Sequence, residues 1–598
     1  MSTYNAPLKD MQFVLRELAG LDAISALPGH EEVSDDLALA ILEEAGKFAT
    51  GVLSPLNWTG DQEGARWQDT EVFTAAGWKQ AYNQFVEGGW NALSCPTEHG
   101  GQGLPRLVSS LVEEMWNGAN VSFALCPMLT RGAIEALELC GNAEQKATYL
   151  PKLVSGEWTG TMNLTEPQAG SDLAAVRTRA VPQADGTFRI HGQKIFITYG
   201  EHDLTSNIIH LVLARKPDAP EGVKGISLFV VPKFIVNADG TPGARNDVRC
   251  VSIEHKLGIH ASPTAVLAFG DKEGATGWLV GEENRGLEYM FIMMNAARYS
   301  VGLEGVGLCE RAYQRALAYA RDRIQGTEAG AAHRNKVAII RHPDVRRMLL
   351  QMKSRTEALR AVATVTAAAM DAAACHADAD ERKRQQAFVE LMIPIVKGWS
   401  TESAVYVTSL GVQIHGGMGF IEETGAAQHL RDARITPIYE GTTAIQAADL
   451  IGRKIAREGG RTIGTVIAQM RAVQADLARA DNADLQAVGA ALGQGVDALD
   501  QAVQFILAQF SQDVRQPLTG SVPFLELFGI VAGGWQMGRA ALAAQQRLAE
   551  GSGDASFYQA KQLTTRFYAD HVLSAAAGLA HAVAQGASSV IALGDDQF

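Results

Sequence analysis

The sequence predicts a mainly helical protein with one inserted β-domain and a helical extension at its C-terminal end. Three observations support this fold class. Apolar residues recur at helical spacing before about residue 160 and again after about residue 286. Between these limits the chain carries short runs of β-branched and aromatic residues separated by turn signals. After a glycine-containing linker at 457–460, an alanine-rich helical pattern continues to about residue 594.

The first helical region follows a polar N-terminal segment. We expect an N-terminal extension at 1–34 and a helical domain at 35–160. Ser34 is a predicted N-cap, followed by acidic residues in the favourable first turn. One face of the helix that follows is apolar, since the helical repeat aligns Leu37, Ile41, Leu42, Ala45 and Phe48. Helical patterns resume at 108–116 and 134–139.

In the middle region, 161–285, the spacing of apolar residues changes from the helical repeat to that of β-strands. Residues 188–190 alternate as a strand does, and turn signals at 184–186 and 238–240 separate some of the β-rich runs. We interpret the region as a small antiparallel β-domain, with strands at 188–190, 194–198, 208–214, 226–231, 265–269 and 278–280.

The third region, 286–457, is predicted to be a helical bundle, with long helical segments at 287–323, 342–376, 382–410 and 442–456. Gly302, Gly305 and Gly307 lie at close spacing within the first of these, which favours close helix–helix packing over a ligand-binding loop. The C-terminal helical extension spans 465–598 and carries seven Lys or Arg against twelve Asp or Glu.

Composition excludes several classes of protein. The 598 residues carry a formal net charge of −14, which argues against a dedicated nucleic-acid binder. Six widely spaced cysteines form no CxxC pair, so we expect neither a metal site nor a disulfide framework. The polar N-terminus lacks a signal-peptide core, and the apolar stretches 524–544 and 571–594 are interpreted as packed helices. We therefore expect a cytoplasmic protein without a membrane span.

Three segments contain residues of types that bind ligands or act in catalysis. Residues 162–172 (MNLTEPQAGSD) form a turn-rich run of hydroxyl groups that could hold a polar planar ligand or phosphate, or be a surface loop. Residues 194–200 (KIFITYG) place Phe196 and Thr198 two apart, so that both can touch one ring from the same strand face. A half-buried strand is the alternative.

The third segment, 431–443 (RDARITPIYEGTT), contains Glu440 shortly after the apolar residues Pro437 and Ile438. Loss of hydration raises the proton affinity of a carboxylate in such a setting, which suits a general base near neutral pH. A solvent-facing glutamate at a helix start is the alternative interpretation of this segment.

Together, and in this order, the three segments resemble the acyl-CoA dehydrogenase family. The loop is similar to its Thr-Glu-Pro-x-Ala-Gly-Ser-Asp motif, the strand to its Lys-x-aromatic-Ile-Thr motif, and 439–442 to its Tyr-Glu-Gly-Thr catalytic motif. Segments 141–158 and 413–420 (QIHGGMGF) also match, so the resemblance covers about 35–457. It implies a helical domain, a β-domain and a four-helix bundle. The additional C-terminal helices resemble a large bacterial subgroup that includes 3-methylmercaptopropionyl-CoA and fatty-acyl-CoA dehydrogenases.

The resemblance implies an FAD-dependent enzyme that converts an acyl-CoA to the trans-2-enoyl-CoA and passes electrons to electron-transferring flavoprotein. Glu440 would remove the α proton while a hydride leaves the β carbon for the flavin. Residues implied to bind FAD are Met162, Leu164, Thr165, Gly170, Ser171, Phe196, Thr198, Arg323, Gln413, Gly416, Gly417 and Thr442. Residues implied to bind substrate are Ser171, Asn295, Arg298, Tyr439 and Gly441. His415 is expected to pack rather than to catalyse. A homodimer or homotetramer is implied.

Two alternatives accompany this hypothesis. An acyl-CoA oxidase would share the catalytic glutamate but return electrons to oxygen. A DNA-associated member of the same fold would need a basic extension, whereas residues 465–598 carry a net charge of 7 − 12 = −5.

Overall fold

Helices dominate the computed structural model, which describes residues 4–330 and 335–598. The α-helices are α1 (Leu8–Phe13), α2 (Leu21–Ser25), α3 (Asp35–Phe48), α4 (Ser54–Glu63), α5 (Trp78–Glu87), α6 (Arg106–Cys140), α7 (Ala143–Ser155), α8 (Gly286–Asp322), α9 (Pro343–Cys375), α10 (Ala379–His415), α11 (Ala426–Ala433), α12 (Thr443–Asp449), α13 (Arg461–Arg479), α14 (Ala483–Gln509), α15 (Arg515–Thr519), α16 (Ser521–Glu550), α17 (Ala555–His571), α18 (Ala576–Gln585) and α19 (Ala587–Ala592).

The strands lie mostly in the middle of the chain. They are β1 (Arg66–Gln68), β2 (Glu71–Phe73), β3 (Thr159–Asn163), β4 (Arg179–Pro182), β5 (Phe188–Thr198), β6 (Ile208–Ala214), β7 (Ser227–Pro232), β8 (Phe234–Val236), β9 (Pro242–Arg245), β10 (Val248–Ile253), β11 (Thr264–Phe269), β12 (Ala275–Val280), β13 (Ile324–Thr327) and β14 (Lys336–Ala338).

The chain forms two compact units. We call Lys47–Leu104 with Ala119–Ser300 the sheet unit, because it contains the large sheet. Met1–Gly46, Pro105–Gly118 and Val301–Phe598 form the helical unit. Helices α6 and α8 each contribute residues to both. The predicted C-terminal extension therefore belongs to the same compact unit as the bundle.

Eight strands form the sheet, in the order β10-β11-β5-β12-β7-β6-β3, with β4 paired to β5. All neighbours are antiparallel except β3 and β6, which run parallel with Thr159 opposite Ile208. The prediction of a purely antiparallel domain was therefore wrong at this edge. Strand β3 has the sequence TGTMN and is buried at every position, so it shows no alternation that would identify it from sequence.

Predictions for the helices hold, with one difference. The Ser34 hydroxyl accepts a hydrogen bond from the backbone N–H of Leu37 at 3.1 Å, which confirms it as the cap of α3. The patterns at 108–116 and 134–139 belong to the single element α6, which contains a break at Asn120. The intervening residues are buried, and a helix that is buried all round lacks the periodic polar face on which the sequence argument depends.

Close packing explains the glycines of α8. A Cβ at Gly302 would lie 2.6 Å from the backbone oxygen of Val396, and one at Gly305 would lie 2.7 Å from that of Ser400. Both neighbours belong to α10, so any side chain at these glycines would force the two helices apart. The predicted packing role of these glycines is confirmed.

The C-terminal helices pack onto the bundle. Helix α16 covers the predicted stretch 524–544, and its Gly529 lies against the buried Trp399 of α10. The stretch 571–594 divides into short segments that include α18 and α19. Helix α9 has the length and hydropathy of a membrane span, but 67% of its apolar window is buried within the protein. It is a core helix of the helical unit.

A buried ionic cluster joins the two ends of the chain to the bundle. Arg360 of α9 donates to Asp10 of α1, to Glu114 at 2.6 Å and to Glu310 at 2.7 Å. Lys561 of α17 donates to Asp10 and, at 2.8 Å, to Glu357. Because Asp10 contacts cations from α9 and α17, it links the N-terminal and C-terminal extensions of the helical unit.

Candidate active site

The predicted flavin-binding loop is attached to β5 by a buried ion pair in the sheet unit. Lys194 is fully buried, and its Nζ donates to Glu166 Oε1 at 2.8 Å and to the Leu164 carbonyl at 2.9 Å. The backbone N–H of Ile195 donates to the Thr165 carbonyl at 2.9 Å. These bonds fix the backbone of Leu164 and Thr165, which belong to the predicted flavin site. Met162, also predicted, is buried at the end of β3.

Glu166 is ionised in this arrangement. Burial opposes its charge, but the neighbouring Lys194 and the donors of Thr178 and Arg177 outweigh that effect and hold the pKa of the Glu166 carboxyl at about 2. Gly170 and Ser171 follow in the same loop and are exposed. The loop therefore has a rigid anchored base and an open polar tip.

Strand β5 presents an exposed aromatic ring beside the loop. A register shift between Ala265 and Leu267 of β11 places a bulge in β5, and Phe196 has a φ of +59°. The Phe196 side chain is 59% exposed and Thr198 is half-buried, whereas the intervening Ile197 is buried. This pattern agrees with the prediction that Phe196 and Thr198 share the open face of the strand.

Four other predicted FAD residues lie in the helical unit, at the ends of α8 and α10. Arg323, Gln413, Gly416 and Gly417 are all exposed. The ring of Tyr319 stacks on that of His415 with centroids 4.3 Å apart, which brings the two helix ends together. His415 is buried, its Nδ1 lies 2.7 Å from the Gly411 carbonyl, and burial lowers the pKa of its imidazole. The prediction that His415 packs is confirmed.

Glu440 lies in a turn between α11 and α12 and is one of few non-glycine residues with positive φ, at +52°. The following Gly441 has a φ of +87°. Such a conformation costs a side-chain-bearing residue on the order of 1–3 kcal/mol, so it persists only where the surroundings hold it, and it is common in active sites. Thr442 caps α12, because its hydroxyl accepts the Ile445 N–H at 3.3 Å.

Buried polar side chains hold this turn from three helices. The Nζ of Lys397, a fully buried residue of α10, donates to the Gly441 carbonyl at 2.7 Å. The amide of Gln446 in α12 donates to the Glu440 carbonyl at 3.3 Å. The hydroxyl of Tyr439 donates to Glu304 of α8. The backbone on both sides of the Glu440 side chain is thus held in place.

Two predicted substrate residues lie on α8 within the sheet unit. Arg298 is buried, and its Nη1 lies 3.4 Å from the Oδ1 of the exposed Asn295. Its guanidinium also lies 5.9 Å from the ring centroid of Phe291. Ser171 belongs to the same unit, whereas Tyr439 and Gly441 belong to the helical unit.

Sequence reasoning missed the residues that hold the turn at Glu440. Glu304 and Lys397 are single charges within the apolar helical runs VGLEGVGL and MIPIVKGW. A charged residue in a run that is buried on all sides must find a partner, so these two positions carried a usable signal. Their partners lie 135 and 44 residues away and could not be read from local sequence.

Comparisons with known proteins identify the family. Four family profiles match in order: the N-terminal, middle and C-terminal domains of acyl-CoA dehydrogenase at 37–157, 161–271 and 284–456, and an acetyl-CoA dehydrogenase C-terminal-like domain at 466–594. The 3-methylmercaptopropionyl-CoA dehydrogenase of Ruegeria pomeroyi is 53% identical over 571 residues, which cover 96% of each chain. The chain belongs to the acyl-CoA dehydrogenase family.

This acyl-CoA dehydrogenase is also 37% identical, over 96% of each chain, to the broad-specificity linear acyl-CoA dehydrogenase FadE5 of Mycobacterium tuberculosis. Its fold is shared with an acyl-CoA dehydrogenase from Bacillus anthracis that was solved with FAD. That comparison has a TM-score of 0.73 at 22% identity, and it covers 98% of this chain and 93% of the other. The predicted fold class is confirmed, and the chain is an FAD-dependent oxidoreductase.

The residues present suit this cofactor. FAD needs an apolar surface for its ring system and cationic or N–H donors for its pyrophosphate. Phe196 offers an exposed ring. Gly416 has a φ of +61°, and among the described residues no other group lies within 4 Å of where its Cβ would be, so its backbone is open to a close ligand. Arg323 supplies an exposed cation at the end of α8, which the Tyr319–His415 stack joins to the end of α10.

Proposed function

We propose that this acyl-CoA dehydrogenase oxidises 3-methylmercaptopropionyl-CoA to its trans-2-enoyl thioester, with Glu440 as the base and electron-transferring flavoprotein as the acceptor. The observation that carries the assignment of the base is the conformation of Glu440. Glu440 has a positive φ, a strained backbone conformation, and buried contacts from three helices hold it there. A glutamate without a function on the surface would relax to an unstrained conformation.

The chemistry requires a base and a means to hold the developing enolate oxygen. The thioester acidifies its α C–H only modestly, so a placed carboxylate is needed to remove the proton. The backbone N–H of Glu440 would donate to the thioester oxygen. The side-chain contacts that hold this turn would limit its reorganisation as charge develops on that oxygen. The chemistry that FAD would supply here is an acceptor for the hydride that leaves the β carbon.

The other predicted residues complete the proposal. Met162, Leu164, Thr165, Gly170, Ser171, Phe196, Thr198 and Thr442 would contact the flavin, and Ser171 would also lie near the CoA arm. Arg323 and the backbone of Gln413, Gly416 and Gly417 would hold the pyrophosphate and adenosine of FAD across a subunit contact. Arg298 and Asn295 bind the CoA side of the substrate, and Tyr439 and Gly441 position the thioester. By family analogy, the enzyme works as a cytoplasmic homodimer or homotetramer.

The substrate assignment follows the stronger similarity. Identity to the 3-methylmercaptopropionyl-CoA dehydrogenase is 53%, against 37% to the broad-specificity linear enzyme, at equal coverage. A panel of butyryl-, octanoyl-, palmitoyl- and 3-methylmercaptopropionyl-CoA with a ferrocenium acceptor tests it. We expect the highest kcat/KM for the methylthio substrate, and a higher value for any straight-chain substrate would overturn the assignment. Peroxide release without an added acceptor would identify an oxidase instead.

Replacement of the base tests the mechanism. We expect Glu440→Gln to lower kcat by about 10²–10⁴-fold, the usual contribution of a general base, while the purified protein keeps its yellow FAD spectrum. Glu423→Gln is the matched control, since Glu423 is an exposed carboxylate elsewhere in the helical unit. Near-normal turnover by Glu440→Gln would reject Glu440 as the base.

A further inference from the structure

Glu304 is a second carboxyl group beside the catalytic turn. It is fully buried in α8. Gly302 and Gly305, on either side of it in the chain, allow α10 to pack closely against α8. The Oε2 of Glu304 accepts the hydroxyl of Tyr439. Its Oε1 is buried and has no hydrogen-bond partner among residues 4–330 and 335–598. A buried carboxylate with an unpaired oxygen is costly, whereas a neutral carboxyl in the same place costs far less.

Burial, more than the neighbouring charges, favours the neutral form of Glu304. Glu113 of α6 and Glu440 of the turn repel its negative charge, while Lys397 of α10 and the hydroxyl of Tyr439 stabilise it. Burial is the largest influence, and together these effects raise the pKa of Glu304 to about 8. Glu304 therefore keeps its proton at pH 7.

Glu304 and Lys397 hold the two neighbours of Glu440. The Tyr439 side chain is anchored by Glu304, and the Gly441 carbonyl is anchored by Lys397 at 2.7 Å. The backbone between these anchors carries the positive φ of Glu440. Release of the Tyr439 anchor would let the turn relax, and a small displacement of a catalytic group costs a large factor in rate.

We propose that Glu304 is a positioning residue for this reaction, a buried carboxyl group that anchors Tyr439 and thereby orients Glu440. It acts through Tyr439 and does not itself touch the substrate. Its neutrality also leaves Glu440 as the base without a second negative charge beside it. The inference rests on the proposed role of Glu440, so the experiment must separate the two.

Glu304→Met removes the acceptor for Tyr439. We expect kcat at pH 7 to fall at least about tenfold, while KM and the FAD content stay within about threefold of wild type. The conservative Glu304→Gln keeps an acceptor carbonyl in place and rescues kcat to within about threefold of wild type. Tyr439→Phe removes the same hydrogen bond from the other side, so its effect on kcat and that of Glu304→Met are expected not to add in the double variant.

A pH profile gives a readout that a purely structural role would not move. In the wild type, ionisation of Glu304 above about pH 8 places a like charge beside Glu440 and the developing enolate, so kcat is expected to fall there. Glu304→Gln cannot ionise, and this alkaline limb is expected to vanish. Wild-type kcat that stays level through pH 9, or the same alkaline fall in Glu304→Gln, would overturn the proposal.

Two controls separate the hypotheses. If wild type fails to oxidise any acyl-CoA of the panel, the proposed function fails. If wild type is active, Glu440→Gln is inactive and Glu304→Met retains full kcat, only the positioning role of Glu304 fails. Should Glu304→Met not fold, the pH profiles of wild type and Glu304→Gln decide the question.

Discussion

Lys194→Met tests whether the buried ion pair holds the predicted flavin loop. Methionine keeps the length and most of the volume of the lysine side chain but removes its charge and both hydrogen bonds. Glu166 would retain its bonds from the N–H groups of Arg177, at 2.8 Å, and Thr178, at 3.1 Å, and from the Thr178 hydroxyl. It would nevertheless be a buried carboxylate without a cation.

The magnitude follows from the titration of Glu166. Its pKa is about 2 in the folded protein against an ordinary value of 4.5, a difference worth about 3 kcal/mol. Because the folded pKa is depressed, this stability is fully present above about pH 4.5 and is lost as the pH falls toward 2. Lys194 is the largest favourable influence on that pKa. Burial also lowers the pKa of Lys194 to about 8, so the intact pair adds little net stability. Removal of Lys194 instead leaves the Glu166 carboxylate buried and unpaired, and we therefore expect Lys194→Met to destabilise the loop by about 3 kcal/mol at pH 7.

Hydrogen exchange measured by mass spectrometry is the suitable assay, because unfolding of a protein with two compact units need not be a single transition. For peptides covering 162–172 and 188–198, a loss of about 3 kcal/mol corresponds to a decrease of more than about a hundredfold in protection. The FAD content of the purified variant should fall in parallel. Peptides from α14 in the helical unit serve as the internal reference.

The double variant Lys194→Met with Glu166→Gln gives the decisive control. Replacement of both charges removes the unpaired carboxylate, so we expect recovery to within about 1 kcal/mol of wild type. If the single variant exchanges no faster than wild type, the ion pair does not hold the loop. If the loop stability lost in the double variant equals the sum of the losses in the two single variants, the loss does not arise from the unpaired charge.

Two further predictions concern packing and the ionic cluster. Gly529→Ala would place a Cβ 2.3 Å from the buried ring of Trp399 and should lower the free energy of unfolding by about 1–3 kcal/mol. Gly464→Ala, at an exposed position of α13, should raise the free energy of unfolding by up to about 1 kcal/mol. Equal melting temperatures for both variants would refute this account. Arg360→Met should lower the free energy of unfolding at pH 7 by at least about 3–5 kcal/mol, measured by chemical denaturation. This loss should become smaller toward pH 5, because burial already raises the pKa of Glu114 to about 6 and protonation removes its unpaired charge. A deficit independent of pH would contradict an electrostatic cause, since the change leaves three carboxylates without this cation, those of Asp10, Glu114 and Glu310.

Local sequence was sufficient for the order of the elements and for a hypothesis about which segments form the site. Helical and strand periodicity located the sheet between helical regions, because each element is recognised by spacing within a few residues. The cap at Ser34 and the packing glycines of α8 followed from equally local rules. The motif at 439–442 identified Glu440 as the candidate base, because the residues on either side of it resemble the catalytic motif of the family.

Only the tertiary structure showed how these segments are held. Strand β3 pairs in parallel with β6 although its sequence has no strand pattern. Lys194 anchors Leu164, while Glu304 and Lys397 hold the turn around Glu440. Each of these contacts joins residues that are distant in the chain, and a buried charge is stable only where another element supplies its partner. Long-range packing selects that partner, so periodicity within a single element cannot reveal it.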